Sequence, residues 1–401
     1  MTHDPTVSVI VVSHGRPTHL KRCLTSLRQL QYSRFEIIVV ADEAGLDAVA
    51  TLTFAAAIKT ATQPEANISK ARNDGIALAA GEFCAFLDDD AVAEPFWLDH
   101  LVAAGHDFVT GTVIGRNGFS VQWGRMAVSR TSQDWHLRPN EDLPPGSVLK
   151  LHGCNFMGRR DHLIALSGFD ETLRFFLDDA DLSLRVAAAG REAHFVPGAR
   201  VHHAFAASAR RRAARVPTDL YEIAASQADF LSKHSNRAEL DTHISRFREH
   251  QTLRLSRLRR RRQMTARAQR SVLESLEAGL NEGLERPTGE LRTGFDRPPG
   301  FLSGAALGPT PLNVISSSGW SPADLREQAA VLALQGARVL AFCLKPTPHR
   351  HRRFFDDQGF WIQVGGLYGA SDRSQAGIQT WRFQDRIAAE TATFGLSPDT
   401  A

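Results

Sequence analysis

The chain has 401 residues, 43% hydrophobic and 23% charged, a composition that excludes general disorder and a length that calls for two or three domains rather than one core. Four cysteines, Cys23, Cys84, Cys154 and Cys343, stand far apart with no Cys-x-x-Cys pair, which argues against a disulfide framework or a structural zinc site and fits a reducing compartment. The net charge of +3 hides an asymmetry, because arginines crowd residues 210–215 and again 254–270, including Arg259-Arg260-Arg261-Arg262, and charge by region says more about partners than the total.

The N-terminus, MTHDPTVSVIVVSHG, has no basic leader before its apolar run, and that run is too short for export. No later stretch reaches the ~18 to 20 apolar residues that span a bilayer. The expectation is a cytoplasmic protein, soluble or peripheral on the inner face of the membrane.

In chain order, residues 7–12 are rich in β-branched side chains and close at Ser13-His14-Gly15-Arg16-Pro17, which predicts a buried strand ending in a loop. Leu20, Cys23, Leu24 and Leu27 then recur at helical spacing, so one apolar face packs back on the sheet. Residues 35–40 predict a second strand, followed by an alanine-rich segment of helical composition. Residues 71–80 predict a helix stopped by Gly81, and residues 82–87 a strand running into Asp88-Asp89-Asp90. Strand, helix and strand at this rhythm mean a parallel sheet with helices on both faces and ligands beyond the carboxyl ends of the strands.

Between about 105 and 150 the pattern loosens, with Trp123, Trp135 and the turn Leu143-Pro144-Pro145-Gly146; such a loop region often meets substrate, and the two tryptophans either stack on a ligand or belong to the core. Order returns at 150–160, in a helix over 161–167, the acidic segment 176–181, a helix to Ala189 and a strand over 193–201 ending in His202-His203. Residues 219–284 read as helices. A Pro/Gly-rich stretch over 286–311 reads as a linker, and 312–317, 322–334 and 337–344 give one more strand, helix and strand.

Two acidic clusters carry the chemistry. Three adjacent carboxylates at 88–90 repel one another, so the cluster calls for a cation or a basic partner. A divalent ion bridging to nucleotide phosphates fits; a solvated acidic turn capping the next helix is the alternative. The second cluster, Asp178-Asp179-Ala180-Asp181, opens a helix whose dipole favours acids in the first turn. A carboxylate there can equally take the proton of an acceptor hydroxyl.

The segments SVIVVSHGRPTHLKRCLTSL, FEIIVV, NISKARNDGIALAAGEFCAFLDDD and GCNFMGRRDHLIALSGFDETLRFFLDDADLSLRVAAAGREAHFVPGARVHH, in that order, resemble glycosyltransferase family 2 over about residues 6–205. The resemblance implies an α/β, mostly parallel nucleotide-binding sheet flanked by helices, of the A-type nucleotide-sugar fold, in a catalytic domain over residues 1–210. An arginine-rich helical region (211–285), the linker (286–311) and a small C-terminal α/β unit (312–401) complete the expected organisation.

Roles follow by resemblance. Asp88 and Asp90 match the family's DxD motif, which holds Mg2+ or Mn2+ and contacts the donor ribose and diphosphate, with Asp89 between them. Asp179 matches the catalytic base of an inverting displacement, and Asp178 stands where the family usually has Glu, on the acceptor side. Arg72 and Asn73 match a pair that shapes the nucleotide pocket, and Ser13 and Arg16 belong to the first loop, which departs from the family's usual wording. Ala41 holds the place of the base-recognition carboxylate, so Asp42 is its shifted candidate. His203 is a metal ligand or a loop histidine; Asn155 orients the acceptor or sits in an ordinary turn.

The expected activity is transfer of a sugar from a nucleotide-sugar donor to a glycan or lipid-linked acceptor, in surface polysaccharide or glycolipid synthesis. The arginine-rich stretch reads as a solvated face or as a surface drawn to anionic lipid, and nucleic acid is not expected, since no aromatics interleave with the arginines. A nucleotidylyltransferase would need a glycine-rich first loop, which Ser13-His14-Gly15-Arg16-Pro17 is not. A non-catalytic scaffold of an envelope-polymer assembly is the other reading, against which the Asp88, Asp90 and Asp179 set stands.

Overall fold

The computed structural model describes residues 4–203, 216–287, 291–295, 298–303, 312–319, 323–372, 375 and 377–394. The arginine run at 210–215 and the expected helix start at residue 322 lie outside the described residues.

Val7–Ser13 (β1) is buried throughout, as a β-branched run covered on both faces should be. Its alternation is visible in the packing: Val7, Val9 and Val11 meet Leu20, Leu24 and Leu27 on one side of the sheet, while Ile10 and Val12 meet Ala71, Ile76, Phe86 and Phe156 on the other. Pro17–Leu27 (α1) starts with a proline whose missing N–H costs nothing in a first turn. Phe35–Ala41 (β2), Glu43–Ala50 (α2), Ile58–Thr62 (β3), Ile68–Leu78 (α3) and Phe83–Asp88 (β4) continue the rhythm, and β3-β2-β1-β4 lie side by side in parallel.

After β4 come Ala91–Ala93 (β5), Trp97–Ala103 (α4), Phe108–Ile114 (β6), Val121–Trp123 (β7), Met126–Ser129 (β8), Asp134–His136 (β9), Ser147–Leu149 (β10), Phe156–Arg159 (β11), Arg160–Ala165 (α5), Asp178–Ala188 (α6) and Ala193–His203 (β12). The full order is β3-β2-β1-β4-β11-β6-β12-β5, with β7 beside β6. The sheet is mostly parallel, as expected, and the exceptions are placed by the structure: β11 runs antiparallel between β4 and β6, and β5 runs antiparallel to β12. The loosely patterned segment is also more ordered than expected, since β8, β9 and β10 form a small antiparallel sheet of their own. Strands of three or four residues carry too few alternations to announce themselves in sequence.

Tyr221–His234 (α7), Leu240–Arg260 (α8) and Ala266–Glu285 (α9) form the helical region around one apolar cluster. Gly279 and Gly283 let α9 approach α7 closely, because a Cβ at either would lie 2.2 Å from the carbonyl oxygens of Tyr221 and Ala225. The described part of the Pro/Gly-rich stretch lies against the sheet domain rather than spanning a gap: Arg292 pairs with Asp74 at 2.8 Å, and the Leu302 N–H donates to Glu36 Oε2 at 2.9 Å.

Leu312–Ser317 (β13), Ala323–Leu334 (α10), Arg338–Lys345 (β14), Arg352–Phe355 (β15), Trp361–Gly366 (β16) and Phe383–Thr393 (α11) build a second sheet in the order β13-β14-β16-β15. This unit packs on the β5 edge of the large sheet. Val92 shares an apolar cluster with Leu340, Phe342, Leu344, Phe355 and Trp361. The Arg353 N–H donates to the Gly118 carbonyl at 3.0 Å, where Gly118 adopts φ +67° and a Cβ would sit 2.1 Å from the Arg353 oxygen.

Candidate active site

β1 and β4 are neighbours, with Val12 opposite Asp88, so the loop leaving β1 faces the carboxylates leaving β4. Ser13 Oγ donates to Asp89 Oδ2 at 2.7 Å, and Arg16 pairs with Asp89 Oδ1 at 2.7 Å and Asp90 Oδ2 at 3.2 Å. Asp89 is 1% exposed; burial pushes its carboxyl up to about 7, with Arg16 opposing. Its oxygens are spent holding the first loop. Asp42, at the end of β2, does similar work, accepting from Gly45 N–H at 3.1 Å as the cap of α2 and from Gly15 N–H at 2.9 Å.

Arg72, on α3, joins the two acidic clusters. It is 3% exposed, and its guanidinium bonds Asp178, Asp88 Oδ1 at 3.0 Å and the Gly153 carbonyl at 2.8 Å. Burial pushes the Asp178 carboxyl upward while Arg72 opposes it. Asp178 therefore points inward to Arg72. Asp179 is half-buried and accepts the Gly153 N–H at 3.1 Å. The residue before this helix, Leu177, holds φ +67°, a left-handed conformation that costs a non-glycine residue about 1–2 kcal/mol. Its side chain offsets that strain by packing with Val128, Leu173 and Phe230.

Asn73 is fully buried and binds the loop that precedes α6. Its Nδ2 donates to the Phe169 carbonyl at 2.8 Å and Glu171 Oε1 at 3.0 Å, and its Oδ1 accepts the Phe169 N–H at 2.7 Å. These bonds fix that loop. Asn155 sits in the turn before β11, its N–H donating to the His152 carbonyl at 2.7 Å; at 0% exposure its Oδ1 accepts from Trp97 Nε1 at 2.7 Å and its Nδ2 donates to the Thr112 and Ala199 carbonyls at 3.0 Å each. The amide ties that turn to α4, β6 and β12.

At the end of β12, His203 Nε2 lies 3.1 Å from Asp90 Oδ1 and 3.9 Å from Asp88 Oδ2. Asp88, Cys154 and His203 each offer a ligand atom, all within 4.8 Å of one another. Carboxylates and an imidazole converging at strand ends fit a divalent ion, and the thiol adds a softer donor than the expected Mg2+ or Mn2+ asks for. Trp123 stands beside this group, its ring centroid 5.5 Å from that of His203.

Three groups escaped the sequence reading. Gly153 and Cys154 flank the asparagine that drew attention, yet they are the ones facing Arg72, Asp179 and the ligand cluster. Lys150 pairs with Asp134 at 2.8 Å; burial lowers its affinity for a proton, and the carboxylates of Asp179 and Asp134 more than offset this, so it stays charged beside the expected base. Nothing in the weakly patterned segment around it signalled that position.

A mostly parallel sheet flanked by helices, with a first loop locked to a carboxylate turn and a second acidic helix start held to it by one arginine, has the A-type nucleotide-sugar fold. Residues 8–166 match the family described as "Glycosyl transferase family 2". The chain is 29% identical over 206 residues to a pre-mycofactocin glycosyltransferase of Mycobacterium tuberculosis, covering 49% of this chain and 42% of that protein. It is also 29% identical over 240 residues to the O-antigen biosynthesis protein RfbC of Myxococcus xanthus, covering 53% and 18%. The match thus spans less than half the length of these curated relatives. Among solved structures, GalNAc-T7 with UDP, GalNAc and Mn2+ aligns at a TM-score of 0.46 and 19% identity, over 58% of this chain and 48% of that one.

Proposed function

We propose that the chain is an inverting, metal-dependent glycosyltransferase that moves a sugar from a nucleoside-diphosphate donor to an acceptor hydroxyl. The observation that carries this reading is the Arg72 bridge from Asp88 to Asp178, which sets Asp179 in the same cleft as the carboxylates at the end of β4. Ser13, Arg16 and Asp42 line the donor side. Arg72 and Asn73 hold its floor. Asp179 takes the acceptor hydroxyl proton as the acceptor oxygen bonds to the anomeric carbon from the face opposite the departing diphosphate oxygen. Asp88, Asp90 and His203 hold the divalent ion, which when bound neutralises charge on the departing diphosphate.

Similarity to an O-antigen biosynthesis protein supports a glycan or lipid-linked acceptor, and the reaction is assigned to surface polysaccharide or glycolipid synthesis on the cytoplasmic side. No helix among the described residues is long and apolar enough to cross a membrane; the arginine-rich end of α8 supports peripheral contact with anionic lipid. Incubation with a panel of nucleotide sugars and Mn2+ tests the activity. Asp179→Asn should lower turnover about 10²- to 10⁴-fold while nucleoside-diphosphate binding stays at the parent's level. Transfer by that variant at the parent's rate would overturn the assignment of the base.

A further inference from the structure

We propose that the thiol of Cys154 is a ligand of the same ion as Asp88 and His203, and that this sulfur makes the site take a borderline transition metal of the Co2+ or Zn2+ class in preference to Mg2+. The inference rests on the metal-dependent reading above and narrows its cofactor.

The three donors come from three separate elements: the end of β4, the turn before β11 and the end of β12. Their ligand atoms already lie within 4.8 Å of one another. Tetrahedral bonds of about 2.0–2.3 Å to oxygen, nitrogen and sulfur set ligand atoms roughly 3.5 Å apart, so side-chain rotation suffices to close on an ion. Among the described residues this is the one such group of His, Cys, Asp or Glu.

The sulfur is also rigidly mounted. Cys154 is 2% exposed, and each neighbour is pinned: Gly153 by Arg72 and Asp179, Asn155 by Trp97, Thr112 and Ala199. Two residues upstream, His152 N–H donates to Thr110 Oγ1 at 3.0 Å. A donor held this way loses little freedom on binding a metal. Cys154 shares an apolar layer of the large sheet with Cys23, Cys84 lies in the layer on the other face and Cys343 in the C-terminal core; of the four, Cys154 is the one grouped with a carboxylate and an imidazole among the described residues.

Chemistry then sets the preference. Mg2+ takes oxygen ligands and keeps its waters, whereas a thiolate with an imidazole and a carboxylate suits Zn2+ and Co2+. Coordination sends the thiol proton to solvent and leaves an S–metal bond.

The test is a titration of the full chain with Co2+, alone and with inorganic pyrophosphate, followed by calorimetry and by near-ultraviolet absorption. The parent should develop a sulfur-to-cobalt charge-transfer band that excess Mg2+ does not remove. Cys154→Ser, nearly the same size, should lose the band and bind Co2+ about tenfold or more weakly, although Cys23, Cys84 and Cys343 remain. Co2+ binding without the band, or a band that survives in Cys154→Ser and in Cys154→Ala, overturns this inference and leaves the metal-dependent reading standing. If neither titration shows any bound Co2+, both fall together.

Discussion

Arg72 is surrounded by acceptors, and no other side chain could fill its place. Its guanidinium reaches Asp88, Asp178 and the Gly153 carbonyl at once, which needs a planar fork of donors; a lysine ammonium is a single point of charge. Removing one partner of a buried pair costs about 3–5 kcal/mol, because the other charge is left without compensation. Arg72→Met should therefore lower stability by about that amount and weaken nucleoside-diphosphate binding, with Arg72→Lys in between. Adding Asp178→Asn to Arg72→Met should restore part of the stability, since the orphaned charge is gone. Denaturant unfolding of the parent, Arg72→Met, Asp178→Asn and the double variant measures it, and strictly additive losses would show that Asp178 does not depend on Arg72.

At the scale of elements, the sequence pointed to most strands and helices of the large sheet, and in several cases nearly to their ends. Residues 7–12 became Val7–Ser13 and 193–201 became Ala193–His203, because a run buried on both faces or ending in a loop announces itself. The set of Asp88, Asp90, Asp179 and His203 came from resemblance, as did the pair at 72 and 73, and their roles are those proposed above. What stayed hidden was direction: a four-residue strand such as β11 carries no mark of running antiparallel, and nothing in the text shows that Asp178 is aimed at a buried arginine. The arginines of 254–270 show the same ambiguity from the surface side. Arg257, Arg259, Arg260, Arg261, Arg262 and Arg267 are exposed where α8 turns into α9, while Arg248 is spent on Glu277 at 2.8 Å. Each exposed arginine near an anionic bilayer is worth about 1 kcal/mol, and the attraction fades as the screening length drops to about 3 Å at 1 M salt. The chain should sediment with anionic vesicles at low salt and be released at high salt, and Arg259→Glu with Arg260→Glu should weaken it. No sedimentation at low salt would remove the lipid reading.

At the scale of the molecule, the C-terminal unit is joined to the large sheet through a buried charge. Glu94, just beyond β5, accepts from His202 Nε2 at 2.8 Å and from Arg353 at 3.1 Å, and Arg353 in turn reaches Gln363 Oε1 at 3.0 Å and Thr393 Oγ1 at 2.6 Å. Burial alone would raise the Glu94 carboxyl, but Arg353, His202 and the more distant Arg200 overcome it and hold it down at about 2 against an ordinary 4.5. A carboxylate with a depressed folded value binds fewer protons when folded than when unfolded, so its stabilisation is whole above about pH 4.5 and is lost as pH falls toward 2. The size of the shift corresponds to about 3 kcal/mol. Glu94→Gln should therefore be less stable than the parent at neutral pH by an amount of that order, and the gap between the two chains should close on acidification. Urea unfolding followed through the buried Trp361, 5.0 Å from the His202 ring, reads the interface itself. Should the two chains keep a constant gap from pH 7 to pH 3, the junction would not draw its strength from this charge, and the apolar contacts of Val92 with the Arg353–Gly118 and Gln29–Gly359 hydrogen bonds would have to hold the two sheets together.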